Sequence, residues 1–143
     1  MDIISGKWSG EFVYGNMYDE QTRGKKVKFF MTLFYDGTIV RGTSMDDEAR
    51  EVFREPARVE GTFENEVLLF YLTYSKESVI GNNKNAANYG VGSIQYIGHL
   101  TRKMFSKEYY FKGTWEINES HLEPNGEIYH LQAGGTWQMR KTN

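Results

Sequence analysis

The chain has no cysteine. That excludes disulfides, thiolate metal sites and a cysteine nucleophile. Nor is there a surplus of basic charge: the formal net charge is −2, which gives no reason to expect a nucleic-acid partner. No apolar run approaches the ~18 residues of a membrane helix. The opening residues, Met1-Asp2-Ile3-Ile4-Ser5, lack the basic and apolar regions of a secretory signal, so the expected location is cytoplasmic. Catalytic signatures are missing too. There is no His-Glu-x-x-His, no Gly-x-Ser-x-Gly elbow, no Walker loop and no dinucleotide fingerprint, since Gly90-Val91-Gly92 is not followed by a helix pattern. A stripe of helical period is also absent, apart from a short candidate over Asp46 to Arg54. Asp46 would cap that segment and Pro56 would stop it.

What is present is alternation. The dominant period is two, and 15% of the residues are aromatic. A length of 143 residues suits one domain, 1–143, because domains cluster at ~100–150 residues. Three phrases recur: Gly61-Thr62-Phe63, Gly113-Thr114-Trp115 and Gly135-Thr136-Trp137, with Gly6-Lys7-Trp8 as a looser copy. Glycine and a large ring two positions apart share one face of a strand. A bare backbone beside a bulky ring lets strands bend while the ring fills the space, as a small barrel requires.

Eight strands are expected, at 6–14, 25–35, 38–44, 57–64, 67–75, 90–100, 108–117 and 127–140. The fold class is all-β, a single eight-stranded antiparallel up-and-down barrel. Asp36-Gly37 predicts a two-residue hairpin that pairs Tyr35 with Thr38 and Leu33 with Val40. Asn65-Glu66 predicts a second, pairing Phe63 with Leu68 and Gly61 with Phe70. Both turns direct compatible sets inward: Val27, Phe29, Met31, Leu33, Val40 and Gly42 from one, Val59, Gly61, Phe63, Leu68, Phe70, Leu72 and Tyr74 from the other. On strand six, Ile94, Tyr96 and Gly98 are expected inside. The longer links, 15–24, 45–56, 76–89 and 118–126, alternate with shorter ones. In a meander they therefore gather at one open end.

Gly6-Lys7-Trp8 on the first strand, Tyr96-Ile97-Gly98, Gly113-Thr114-Trp115-Glu116-Ile117 and Gly134-Gly135-Thr136-Trp137-Gln138-Met139 together resemble the calycin group of lipocalins, fatty-acid-binding proteins and avidins. They also look like a broad set of lipocalin-like bacterial barrels. The resemblance implies a barrel that holds a ligand. A Thr-Asp-Tyr near the middle is missing, and the polar set of an avidin biotin site has no match.

The expected function is binding of a small apolar or aromatic molecule in a Tyr- and Trp-lined cavity. The candidate lining is Tyr14, Val27, Val59, Tyr74, Tyr96, Trp115 and Tyr129, while Trp8, Tyr35, Phe63, Tyr109 and Trp137 plug the closed end. Two alternatives stand beside it. An enzyme on the same barrel (isomerase, lyase or hydrolase) would need His99, Glu11 or Asp46 to turn inward. A protein-interaction module with a filled barrel would use the outer surface. There Phe30, Phe34 and Ile39 face outward, with Leu69 and Tyr71 on strand five, and the first three are expected to form a homodimer contact. No cofactor, metal or membrane partner is expected. Asp46-Asp47-Glu48 is read as a helix start rather than a cation site, Lys25-Lys26-Val27-Lys28 as a solvated edge, and His99, His121 and His130 as surface histidines.

Overall fold

A computed structural model describes residues 2–81, 93–102, 108–122 and 124–142, and of 76, 118–122 and 128–132 the backbone alone. Its strands are β1 (Gly6–Tyr14), β2 (Lys26–Tyr35), β3 (Val40–Asp46), β4 (Ala57–Glu64), β5 (Val67–Thr73), β6 (Ile94–Arg102), β7 (Tyr109–Leu122) and β8 (Ile128–Lys141). They form one closed antiparallel barrel in sequential order, with β1 pairing β8. Within the barrel, closure pairs each strand on both sides.

The repeated glycine phrases are complementary across strands. Gly113 on β7 lies opposite Trp137 on β8, and Trp115 on β7 lies opposite Gly135 on β8. Each phrase thus receives the tryptophan of the other. A Cβ on Gly135 would stand 2.8 Å from Trp115 Nε1, and one on Gly98 of β6 would stand 2.5 Å from Trp137 Cζ2. The indole N–H groups are satisfied by backbone. Trp137 Nε1 donates to the carbonyls of Thr114 (3.0 Å) and Ile97 (3.2 Å), and Trp115 Nε1 donates to that of Val13 (3.2 Å). Trp137 is not a floor residue as expected. It stacks on Tyr96 at mid-barrel, 5.6 Å between centroids, because it lies level with Gly113 and Phe12.

The two hairpins differ in how they follow their turn residues. At Asn65-Glu66 the predicted register is observed, Phe63 opposite Leu68 and Gly61 opposite Phe70. Both turn residues have positive φ, 53° and 66°, as a primed hairpin turn demands. At the other hairpin the register is displaced by two: Leu33 faces Gly42 and Tyr35 faces Val40. The turn centres on Gly37-Thr38, because the Asp36 carboxylate folds forward and accepts from the backbone N–H of Thr38 and Ile39. Those bonds hold Asp36 below the usual carboxylate range. A displacement of two keeps every side chain on its predicted face. Val27, Phe29, Met31, Leu33, Val40, Val59, Leu68, Phe70, Leu72, Ile94 and Tyr96 are all buried.

Several boundaries move. β3 starts at Val40, not 38, and continues to Asp46. β5 ends at Thr73, not 75. β6 is described from Ile94, and the expected strand over 90–92 lies outside the described residues. β7 runs on into the predicted link 118–126, pairing as far as Leu122 with Ile128, the first residue of β8. Beyond Glu116, β7 has lost β6, and before Gly135, β8 has not met β1. The fourth long link is therefore a two-stranded extension with a short turn.

The described links still segregate. Those at 36–39 and 65–66 lie at one end, and those at 15–25, 47–56 and 74–81 at the other. The first end is plugged by the N-terminal segment. Ile4 is fully buried and its carbonyl accepts from Trp8 Nε1 at 2.8 Å. Trp8 packs on Phe111, and Phe111 on Phe63. On the outside, Phe30 (53% exposed) and Phe34 (64%) project from β2, Ile39 is half-buried, and Tyr71 and Ile97 form a second apolar strip with Leu69 on β5 and β6.

Candidate functional site

At the long-link end the inward face of β3 supplies a charge. Val40, Gly42 and Ser44 alternate inward, and the same period places Asp46 inside at 5% exposure. Its Oδ1 accepts from the backbone N–H of Ala49 (2.6 Å) and Glu48 (2.9 Å), and its Oδ2 accepts from the Tyr74 hydroxyl (3.0 Å). Asp46 thus anchors a short 3₁₀ turn, Ala49–Glu51, where a longer helical segment was expected. Burial raises its pKa above the usual aspartate range. The bonds from Ala49, Tyr74 and Glu48 act against burial, and the neighbouring Glu48 charge adds to it.

Links 47–56 and 74–81 dock on each other above this carboxylate. Ala49, Val52 and Phe53 form a small core with Met45, Tyr74 and Val79. Phe53 stacks on Tyr74 at 4.6 Å. Arg54 N–H donates to the Ser78 carbonyl, and Ile80 N–H to that of Val52. This end is consequently half-covered, not a bare rim.

Across the mouth stand the rings of β1, β7 and the first long link. Trp115 is met by Phe12 (5.5 Å), Tyr14 (5.7 Å), Tyr18 (6.2 Å) and Tyr96 (6.4 Å). Tyr14 and Tyr18 contact each other edge-on at 4.8 Å. The Tyr14 hydroxyl donates to Glu48 Oε1 at 2.5 Å, and Lys25 Nζ donates to Glu48 Oε2 at 2.8 Å. That bond raises the Lys25 pKa. The contacts close a circuit: Asp46 to Glu48 through backbone, Glu48 to Tyr14, Tyr14 to Trp115, Trp115 to Tyr96, Tyr96 to Phe29 (6.5 Å), and Phe29 opposite Asp46 in the β2–β3 ladder.

Tyr96 forms the base of that circuit, stacked on Trp137 and edge-on to Phe70. Its hydroxyl has no hydrogen-bond partner among the described residues. Burial pushes its pKa far up, with the Asp46 charge and Tyr18 adding to the effect, so the phenol stays protonated.

Of the expected lining, Tyr14, Tyr74, Tyr96 and Trp115 come together here. Val27 and Val59 are packed in the core, 3% and 1% exposed. The side chain of Tyr129 lies outside the described residues, as do those of His121 and His130. Sequence reasoning missed Tyr18, Glu48 and Phe53, which sit in links without a period. Continuing the β3 alternation by two residues beyond Ser44 would have placed Asp46 inside. Of the three groups that catalysis would need to turn inward, Asp46 does so. His99 is exposed, and Glu11 accepts from Gln138 on the outer face.

Asp47 pairs with Arg50 at 3.3 Å, so the acidic triplet is divided among a turn, an ion pair and the Tyr14–Lys25 bridge. Among the described residues no group of three or more His, Asp or Glu side chains is placed to hold a metal ion, and no helix is long and apolar enough to cross a membrane. No family model, no curated protein and no solved structure matches the chain.

Proposed function

We propose that this chain is a calycin-type binding protein that takes a small molecule with an apolar or aromatic body into the long-link mouth of its barrel. The observation that carries this reading is the clustering of Tyr14, Tyr18, Tyr96 and Trp115 at the end of the barrel where Asp46 is buried against the Tyr74 hydroxyl. Small-molecule sites have this make-up, mostly apolar walls with few directed polar atoms. The lower barrel, filled by Trp8, Phe63, Phe70 and Phe111, serves as the scaffold.

Native mass spectrometry of freshly purified protein tests the reading directly, with a co-purifying mass as the expected result. Trp115→Ala should weaken binding while the fold persists. Loss of folding equal to that of Trp137→Ala would make Trp115 a core residue and remove the mouth as a site. An enzyme on the same barrel is favoured by one observation, the inward carboxylate of Asp46 beside the Tyr74 hydroxyl, a pair able to pass a proton to a bound molecule.

A further inference from the structure

We propose that the ligand of the mouth is a protonated organic amine, its ammonium group held by the Asp46 carboxylate and the Tyr96 hydroxyl against the surrounding rings. This rests on the binding reading above and adds the ligand class to it.

Four observations converge. First, Asp46 is a buried carboxylate without a cationic partner among the described residues. Its bonds there come from two backbone N–H groups and one phenol. Lys25, a lysine at this rim, is bound to Glu48 instead. Buried charges are ordinarily matched by an opposite charge. Second, the bonding capacity of the carboxylate is incomplete. Oδ1 accepts two bonds and Oδ2 one, which leaves a lone-pair direction on Oδ2. Third, the Tyr96 side chain is 5% exposed, its hydroxyl is unbonded among the described residues, and its ring meets Phe29, which lies opposite Asp46. The hydroxyl can accept from an ammonium N–H. Fourth, the remaining surroundings are aromatic. Rings of Trp115, Tyr14 and Tyr18 attract cations through their faces, an effect strengthened by desolvation. Phe12, Phe29, Leu72 and Ile94 nearby suit an apolar body.

Other ligand classes fit less well. An anion would meet Asp46 without a balancing base. A divalent metal would require several oxygen ligands, and Asp46 offers one open direction. An uncharged molecule would leave the carboxylate unmatched.

The test titrates the full chain with phenethylamine and with its uncharged isostere phenethyl alcohol by calorimetry at neutral pH. The amine is expected to bind about tenfold or more tighter, the magnitude of a charge-assisted hydrogen bond. Asp46→Asn keeps an acceptor oxygen for the two backbone N–H groups and removes the charge. It should lower amine affinity by about tenfold or more and alcohol affinity by much less, so that the two converge. Tyr96→Phe should weaken the amine by a few-fold, and the wild-type comparison needs no variant to fold. Equal binding of amine and alcohol, or tighter binding of phenylacetate, overturns the amine assignment and leaves the mouth as a binding site. Binding of none of the three, with circular dichroism intact, overturns the mouth itself.

Discussion

The two ends of this barrel share one alternation and put it to different use. At the short-link end the buried side chains among the described residues are apolar, and the polar work is done by backbone, turns and the rim: Ile4 caps Trp8, Lys141 donates to the Ile3 carbonyl, Asp36 caps its own hairpin, and Asn65-Glu66 closes the next. At the long-link end lie all three buried polar residues found among the described residues, Ser44, Asp46 and Ser78. Longer connections supply extra N–H and hydroxyl donors, which allow a carboxylate to stay inside. Short turns leave no such donors to spare, so that end can only be plugged. The difference teaches that link length, more than strand composition, decides which end of a meander barrel can hold chemistry.

Substitutions at the two ends should separate stability from binding. Phe111→Ala empties a fully buried position between Trp8 and Phe63, and the expected loss is about 3–5 kcal/mol of unfolding free energy by denaturant titration. Tyr18→Ala at the mouth should change stability by less than about 1 kcal/mol, since the ring is half-buried in a link, while reducing amine affinity. If both cost the same, the mouth is merely more core.

Between the ends, Gly113→Ala tests the close approach of β6 and β7 that glycine permits. The added Cβ would stand 1.8 Å from the Ile97 carbonyl oxygen, and overpacking of this kind costs about 1–3 kcal/mol. An unchanged melting temperature would show that β6 and β7 can part freely there.

The pH profile sharpens the comparison further. Burial raises the Asp46 pKa in the folded state above its unfolded value, so the native state holds the proton more tightly. The associated stability is fully present below the ordinary aspartate value and is lost as pH rises through the raised one. Asp46→Asn should remove that decline, so the wild-type minus variant stability falls with rising pH over the interval. A difference flat with pH would mean that Asp46 titrates normally.

The smallest effect is expected at the plugged end. Glu66 holds a φ of 66°, where glycine is at ease and a side chain is not. Glu66→Gly should raise stability by about 0.5–1 kcal/mol in thermal unfolding. A loss would show that the Glu66 side chain contributes more than its backbone costs.

Much of the architecture was legible because a barrel wall has a strict two-residue period. Met31, Leu33, Phe70 and Tyr96 face inward as read, and even the displaced Asp36 hairpin kept its faces because the displacement was even. The site was legible only in part. Tyr14 and Trp115 lie on strands whose period announces them. Tyr18, Glu48 and Phe53 lie in links, where position depends on docking between segments far apart in sequence. Asp46 was read by its local chemistry as the cap of a helix; it instead accepts from the N–H groups of Glu48 and Ala49 ahead of a short 3₁₀ turn capped at Glu48, and the cap reading concealed its place on the inner face.

Alternation, turn residues and Gly-x-aromatic spacing determined by themselves that this chain closes into a meander with its rings inward. These are short-range properties, settled between neighbours and across single hairpins. The tertiary structure alone decided that Asp46 is buried beneath the Tyr74 hydroxyl without a counter-charge among the described residues, because burial and pairing depend on which distant segments come to rest over the same few ångströms of space.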